Sequence, residues 1–127
     1  MTTHPTPSPG DPVHISAVLF RAAELIRQRG HGKHRWQGPH GRLCIEGAIV
    51  TAAHELGATR TTELTAATRQ PLALVETTIG KPIPRWNDHP DRTPTEVIGV
   101  LETTARLTHR QGRPTDNGVG RGLEGGR

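Results

Sequence analysis

A chain of 127 residues with 31% hydrophobic residues and only three aromatic ones, Phe20, Trp36 and Trp86, has room for one domain with a core of Ala, Val, Ile and Leu. Its formal charge of +4 favours anionic partners only weakly, and its single cysteine, Cys44, excludes an internal disulfide and suits a reducing compartment. No apolar run approaches the roughly 20 residues of a membrane span and no basic-then-apolar signal pattern opens the chain, so the expected location is the cytoplasm, with no membrane partner. No cofactor is expected.

Both ends are expected to be disordered. Residues 1–13 carry Pro5, Pro7, Pro9 and Pro12 with almost nothing apolar to bury, and residues 110–127 carry six glycines and two aliphatic side chains, Val119 and Leu123. Neither composition offsets the entropy of ordering. The foldable part is then a domain over 14–109.

Within it the periodicity is helical. Ile15, Val18, Leu19, Ala22, Leu25 and Ile26 form one stripe over 14–29, and Gly30 stops that helix. Residues 31–42 read as a loop, broken by glycines and Pro39, with room for a short hairpin around 38–41. A second helix spans 43–56, with Ile45, Ala48, Ile49, Ala52, Ala53 and Leu56 on its apolar stripe and Gly57 at its end. The Thr-rich stretch that follows predicts a short helix over 61–68, and Pro71 opens another that runs through Thr78. Gly80, Pro82 and Pro84 forbid its continuation. The last helix spans 93–109, with Val97, Ile98, Leu101, Ala105 and Thr108 inward. Its start is the clearest local signal in the chain: Thr93 as N-cap, Pro94 at the first helical position and Glu96 at the third, the spacing of a capping box. Short connections between such elements predict an all-α bundle of four to five helices.

Several residues together resemble a domain-of-unknown-function family of small actinobacterial and phage proteins. They are Leu19, Ala22, Ala23, Leu25, Ile26 and Gly30; then Cys44, Gly47 and Ala48; then Trp86, Asn87 and Asp88; and finally Arg92, Thr93, Glu96, Val97, Ile98 and Leu101. The resemblance covers most of 15–107. In the family a Trp follows soon after the first helix; here Trp36 is its counterpart, displaced by extra basic and His residues. The resemblance implies no established activity and so no catalytic residues.

Four constellations carry possible chemistry. Cys44 lies near a helix start, where oriented N–H groups favour a thiolate, and Asp88 is a candidate to orient a base; the plainer reading is a small buried apolar cysteine. His54 lies about three turns along the same helix from Cys44 and cannot reach it. Trp86, Asn87, Asp88 and Arg92 form a candidate binding group in the connection before the last helix; the plainer reading is Asx side chains fixing a loop that Trp86 anchors. Residues 25–45 contain no acid, and Arg29, Lys33, Arg35, Trp36 and Arg42 are candidates for contacting nucleic acid, against a solvated basic loop. His31, His34 and His40, with Cys44, carry zinc-binding atoms but match no standard spacing, so no metal is expected.

The reading these observations favour is a non-enzymatic cytoplasmic helical module that binds another macromolecule, chiefly a protein, as an accessory of phage or mobile-element origin. A nucleic-acid-binding protein using 27–42 and a cysteine-dependent hydrolase or transferase centred on Cys44 are the alternatives. Oligomeric state is left open. Cys44, in register with Ala48, is expected on the inward face of its helix, so that Cys44→Ser is expected to cost more stability than Cys44→Ala.

Overall fold

Five helices pack around one core in a computed structural model that describes residues 12–34 and 41–111. Helix α1 spans Pro12–Arg29, α2 Ile45–Glu55, α3 Thr61–Ile79, α4 Ile83–Asn87 and α5 Pro94–Gln111. The chain is all-α over these residues, which contain no strand beyond one isolated bridge, His31 to Leu43. Most of both expected tails, and residues 35–40 of the first loop, lie outside the described residues.

The core is made as the stripes predict. Val18, Leu19, Ala22, Leu25 and Ile26 of α1 meet Ile45, Ala48, Ile49, Ala52 and Ala53 of α2 and Val97, Leu101 and Ala105 of α5, all buried. Arg21 reaches Glu55 at 2.6 Å, so α1 and α2 run antiparallel across the first loop. Arg27 meets Glu102 at 3.0 Å and Lys33 meets the Pro90 carbonyl at 2.9 Å, so α5 also runs antiparallel to α1. Helix α1 packs mainly on α5 and then on α2, which makes it the central element.

Three boundaries differ from the sequence reading. Helix α1 begins at Pro12, whose fixed φ and missing N–H suit a first helical position, so residues 12 and 13 belong to the helix and not to a tail. The two short helices expected on either side of Pro71 are one helix, α3, with Pro71 inside it. A proline there forfeits a backbone bond, a cost of about 3 kcal/mol. Thr68, Pro71 and Val75 are buried on one face at i, i+3, i+7 spacing, and that burial outweighs the lost bond. The segment between Gly80 and Asp88, read as a connection without helix, contains the single turn α4. Gly80 ends α3 in the left-handed conformation (φ 72°), and the Ile83 N–H that opens α4 donates to the Glu76 carboxylate at 3.1 Å.

The capping box of α5 is present. Glu96 N–H donates to Thr93 Oγ1 at 3.2 Å and Thr93 N–H donates to Glu96 Oε1 at 2.9 Å. That second bond holds the Glu96 carboxyl below its ordinary range. Thr93→Ala is therefore expected to lower the folding stability by about 1 kcal/mol. Urea melts of the two proteins check it, and an unchanged midpoint would remove Thr93 as the cap.

Candidate functional site

The first loop, the start of α2 and the end of α4 meet at Asn87, which is 1% exposed. Its side chain has two acceptor and two donor positions, and all four are filled. Oδ1 accepts from the Ile45 N–H at 3.0 Å and lies 2.8 Å from His31 Nε2. Nδ2 donates to the Gly32 carbonyl at 3.1 Å and to Asp88 Oδ1 at 2.8 Å. The amide orientation follows from chemistry: a backbone N–H can only donate and a backbone carbonyl can only accept. His31 Nε2 must then carry a hydrogen. Burial lowers the His31 pKa and outweighs the bond to Asn87, so the ring is neutral at pH 7 with Nδ1 unprotonated.

Helix α2 starts on two side chains. Ile45 and Gly47 carry two of the four N–H groups that a helix start leaves without internal partners. Asn87 takes the first, and the Cys44 sulfur takes the second at 3.3 Å. Cys44 is thus the N-cap of α2, not a residue within it, and it is 7% exposed. Burial pushes its thiol pKa up and outweighs the Gly47 N–H, so the thiol is protonated at neutral pH. The expected order of the two substitutions reverses accordingly: serine is a favoured N-cap and alanine is not.

Asp88 holds the other side of the loop. Its Oδ1 accepts from the His34 N–H at 2.8 Å, and its Oδ2 lies 3.3 Å from His34 Nδ1. His34 adopts a left-handed backbone (φ 69°), a conformation that disfavours side chains by about 1–2 kcal/mol, and the double contact with Asp88 offsets that cost. Burial would raise the Asp88 carboxyl, but the Asn87 amide, the His34 N–H and the two nearby imidazoles outweigh it and hold the group below its usual range.

These contacts enclose a recess of about 130 Å³ lined by His34, Cys44, Glu46, Ile83, Pro84, Asn87 and Asp88. Of the sequence candidates it unites His34, Cys44, Asn87 and Asp88. Trp86 and Arg92 stand apart as a stacked pair: the guanidinium carbon lies 3.6 Å from the ring centroid, and Arg92 Nε donates to the Trp86 carbonyl at 2.9 Å. Among the basic candidates, Arg29 donates to the Gly41 carbonyl and Lys33 to that of Pro90, while Arg42 is exposed; Arg35 and Trp36 lie outside the described residues. His40 does too, and His31 and His34 are turned to Asn87 and Asp88. Among the described residues no group of three or more His, Cys, Asp and Glu side chains is arranged to hold a metal ion. Glu46, Ile83 and Pro84 are lining residues that sequence reasoning missed. An acid two positions after Cys44 is a weak signal for the first, and nothing local marks the other two.

Residues 10–107 match the family of unknown function DUF6197, and the chain belongs to that family. Neither a curated protein nor a solved structure matches it. Among the described residues no helix is long and apolar enough to cross a membrane.

Replacing Asn87 by Ala leaves the Ile45 N–H, the Gly32 carbonyl and the His31 ring without partners. Each buried polar group left unpaired costs about 1–3 kcal/mol, so the expected loss is about 3 kcal/mol or more. Asn87→Asp is not expected to restore it, because a carboxylate has no donors for Gly32 and repels Asp88. Denaturant midpoints of both variants test this; a loss below about 1 kcal/mol for Asn87→Ala would show that the amide is not the joint of the three segments.

Proposed function

We propose, for a member of a family without an assigned activity, that the protein is a non-enzymatic module that binds another protein by taking a basic side chain into the recess between α2 and α4. The observation that carries this reading is the lining. Two carboxylates, Glu46 and Asp88, face the recess over an apolar floor of Ile83 and Pro84. Asp88 is held ionised by its hydrogen bonds, and Glu46 makes no ion pair among the described residues. Size supports the same reading: about 130 Å³ is well below the roughly 300–1,000 Å³ of small-molecule sites, and suits the end of one side chain. An accessory role, of phage or mobile-element origin, is part of the same proposal. The test is an NMR titration of the full chain with Nα-acetyl-arginine amide and with its neutral isostere, Nα-acetyl-citrulline amide. The arginine compound is expected to shift the amides of His34, Glu46 and Asp88, the citrulline compound not to, and Glu46→Gln to weaken the response. Equal responses to both compounds, or none to either, would overturn the reading.

A second reading, a cysteine-dependent enzyme, is favoured by one observation: the recess brings Cys44, His34 and Asp88 together from separate parts of the chain. Against it stand the burial of the thiol, its raised pKa and the commitment of the sulfur to the Gly47 N–H. A thiol in that state is expected to react with iodoacetamide much more slowly in the folded protein than after unfolding. Cys44→Ser is expected to be at least as stable as Cys44→Ala. Rapid labelling of the folded chain, with an apparent thiol pKa well below that of free cysteine, would put the enzyme reading first.

A further inference from the structure

The carboxylate of Asp88 leaves a guest only one of its two oxygens. Each carboxylate oxygen accepts about two hydrogen bonds. Oδ1 already takes the His34 N–H and one from Asn87 Nδ2, both at 2.8 Å. Oδ2 faces the His34 ring, whose Nδ1 lies 3.3 Å away. A cation that enters the recess and reaches Asp88 must therefore do so at Oδ2, beside that imidazole.

His34 is placed to compete there. Its backbone is held by the bond of its N–H to Asp88 and by the neighbouring tie of Gly32 to Leu43. Its side chain is 73% exposed and lines the recess. A neutral ring can turn aside into water. A protonated ring adds a full positive charge beside the carboxylate, and a hydrogen bond between ionised groups is about twice as strong as a neutral one. Histidine is the side chain that ordinarily changes charge between pH 5 and 8.

The other charged groups around it do not supply that change. Asp88, at the end of α4, is held ionised, and carboxyl groups such as that of Glu46 on α2 ordinarily titrate below pH 5. The Cys44 thiol stays protonated. Within the same loop, burial of His31 moves its charging to lower pH than that of an ordinary imidazole. Lys33, bonded to the Pro90 carbonyl, and Arg92, stacked on Trp86, are cations throughout. His89, next to Asp88 in the chain, turns Nδ1 to the Asp91 N–H.

The geometry points to a proton gate: protonated His34 takes Asp88 Oδ2 for itself and shuts the recess to a basic side chain, so that the partner protein is held at neutral and alkaline pH and released in mildly acidic surroundings. This regulation rests on the recess taking a basic side chain, as proposed above. Linkage makes the exchange reciprocal, so entry of the guest expels a proton.

NMR titrations of the full chain with Nα-acetyl-arginine amide at pH 8 and pH 5.5, followed at the amides of Glu46 and Asp88, test it. The guanidinium keeps its charge across that range. The dissociation constant is expected to be about threefold higher at pH 5.5, in keeping with the strength of an exposed ion pair. His34→Asn is expected to abolish the difference. Asparagine does not titrate, tolerates the left-handed backbone and retains the N–H for Asp88, so the variant is expected to keep the helical circular dichroism of the parent. Calorimetry of the parent near pH 6, in two buffers of different ionisation enthalpy, is expected to show proton release on binding. Equal dissociation constants at the two pH values overturn the gate and leave the recess standing as a site for a basic side chain. A difference that survives in His34→Asn overturns it by assigning the proton to another group, and so does binding without proton release. No binding at either pH overturns the reading of the recess and the gate with it.

Discussion

The side-chain amide of Asn87 joins three segments, the first loop, the start of α2 and the end of α4. It takes the first N–H of α2, the carbonyl of Gly32 and the ring of His31, and it braces the carboxylate beside it. Inside a protein such a group is stabilising only when every position is filled, because each buried polar atom left without a partner loses its hydration for nothing. Only an amide has two donors and two acceptors in this arrangement. Aspartate lacks the donors, and serine lacks both the reach and the second donor. The position of α4 relative to α2 therefore follows from hydrogen-bond arithmetic at one residue. The recess between these helices inherits its shape from that joint.

The same joint decides the chemistry of the thiol. A helix start normally lowers a cysteine pKa, since its free N–H groups and dipole favour negative charge. At Cys44 part of that advantage is already consumed: Asn87 takes the Ile45 N–H, which leaves the Glu46 and Gly47 N–H groups to act on the sulfur. Burial then dominates and the thiol stays protonated. Opposing effects act on one atom, and desolvation, joined by the nearby Glu46 and Asp88 carboxylates, outweighs the N–H groups of the helix start.

The helices that one stripe determines were readable from the residues. Stripes in α1, α2 and α5 name the core almost residue by residue, and Thr93, Pro94 and Glu96 mark the start of α5, because each of these signals acts within one or two turns. Helix α3 was not readable as one piece. The rule that proline ends a helix is local, whereas the burial of Thr68, Pro71 and Val75 that overrides it is tertiary. Helix α4 was hidden for a similar reason, being one turn between prolines and tied to α3 through Glu76. In the candidate site, Cys44, Asn87 and Asp88 stood out individually by residue type. Their meeting with His34 spans 54 residues between His34 and Asp88, and no periodicity encodes a contact of that separation.

The first loop is closed at its neck. Gly32 N–H donates to the Leu43 carbonyl at 2.8 Å, and Leu43 N–H donates to the Gly30 carbonyl at 3.0 Å, so the two limbs are tied before the chain reaches residue 35. Of the described residues, His31, Gly32 and His34 of this loop bear on the recess, and each lies on or next to the tied part. The ties are bonds between backbone groups, so a substitution at His31 or His34 changes the chemistry at the edge of the recess without untying the chain that carries it.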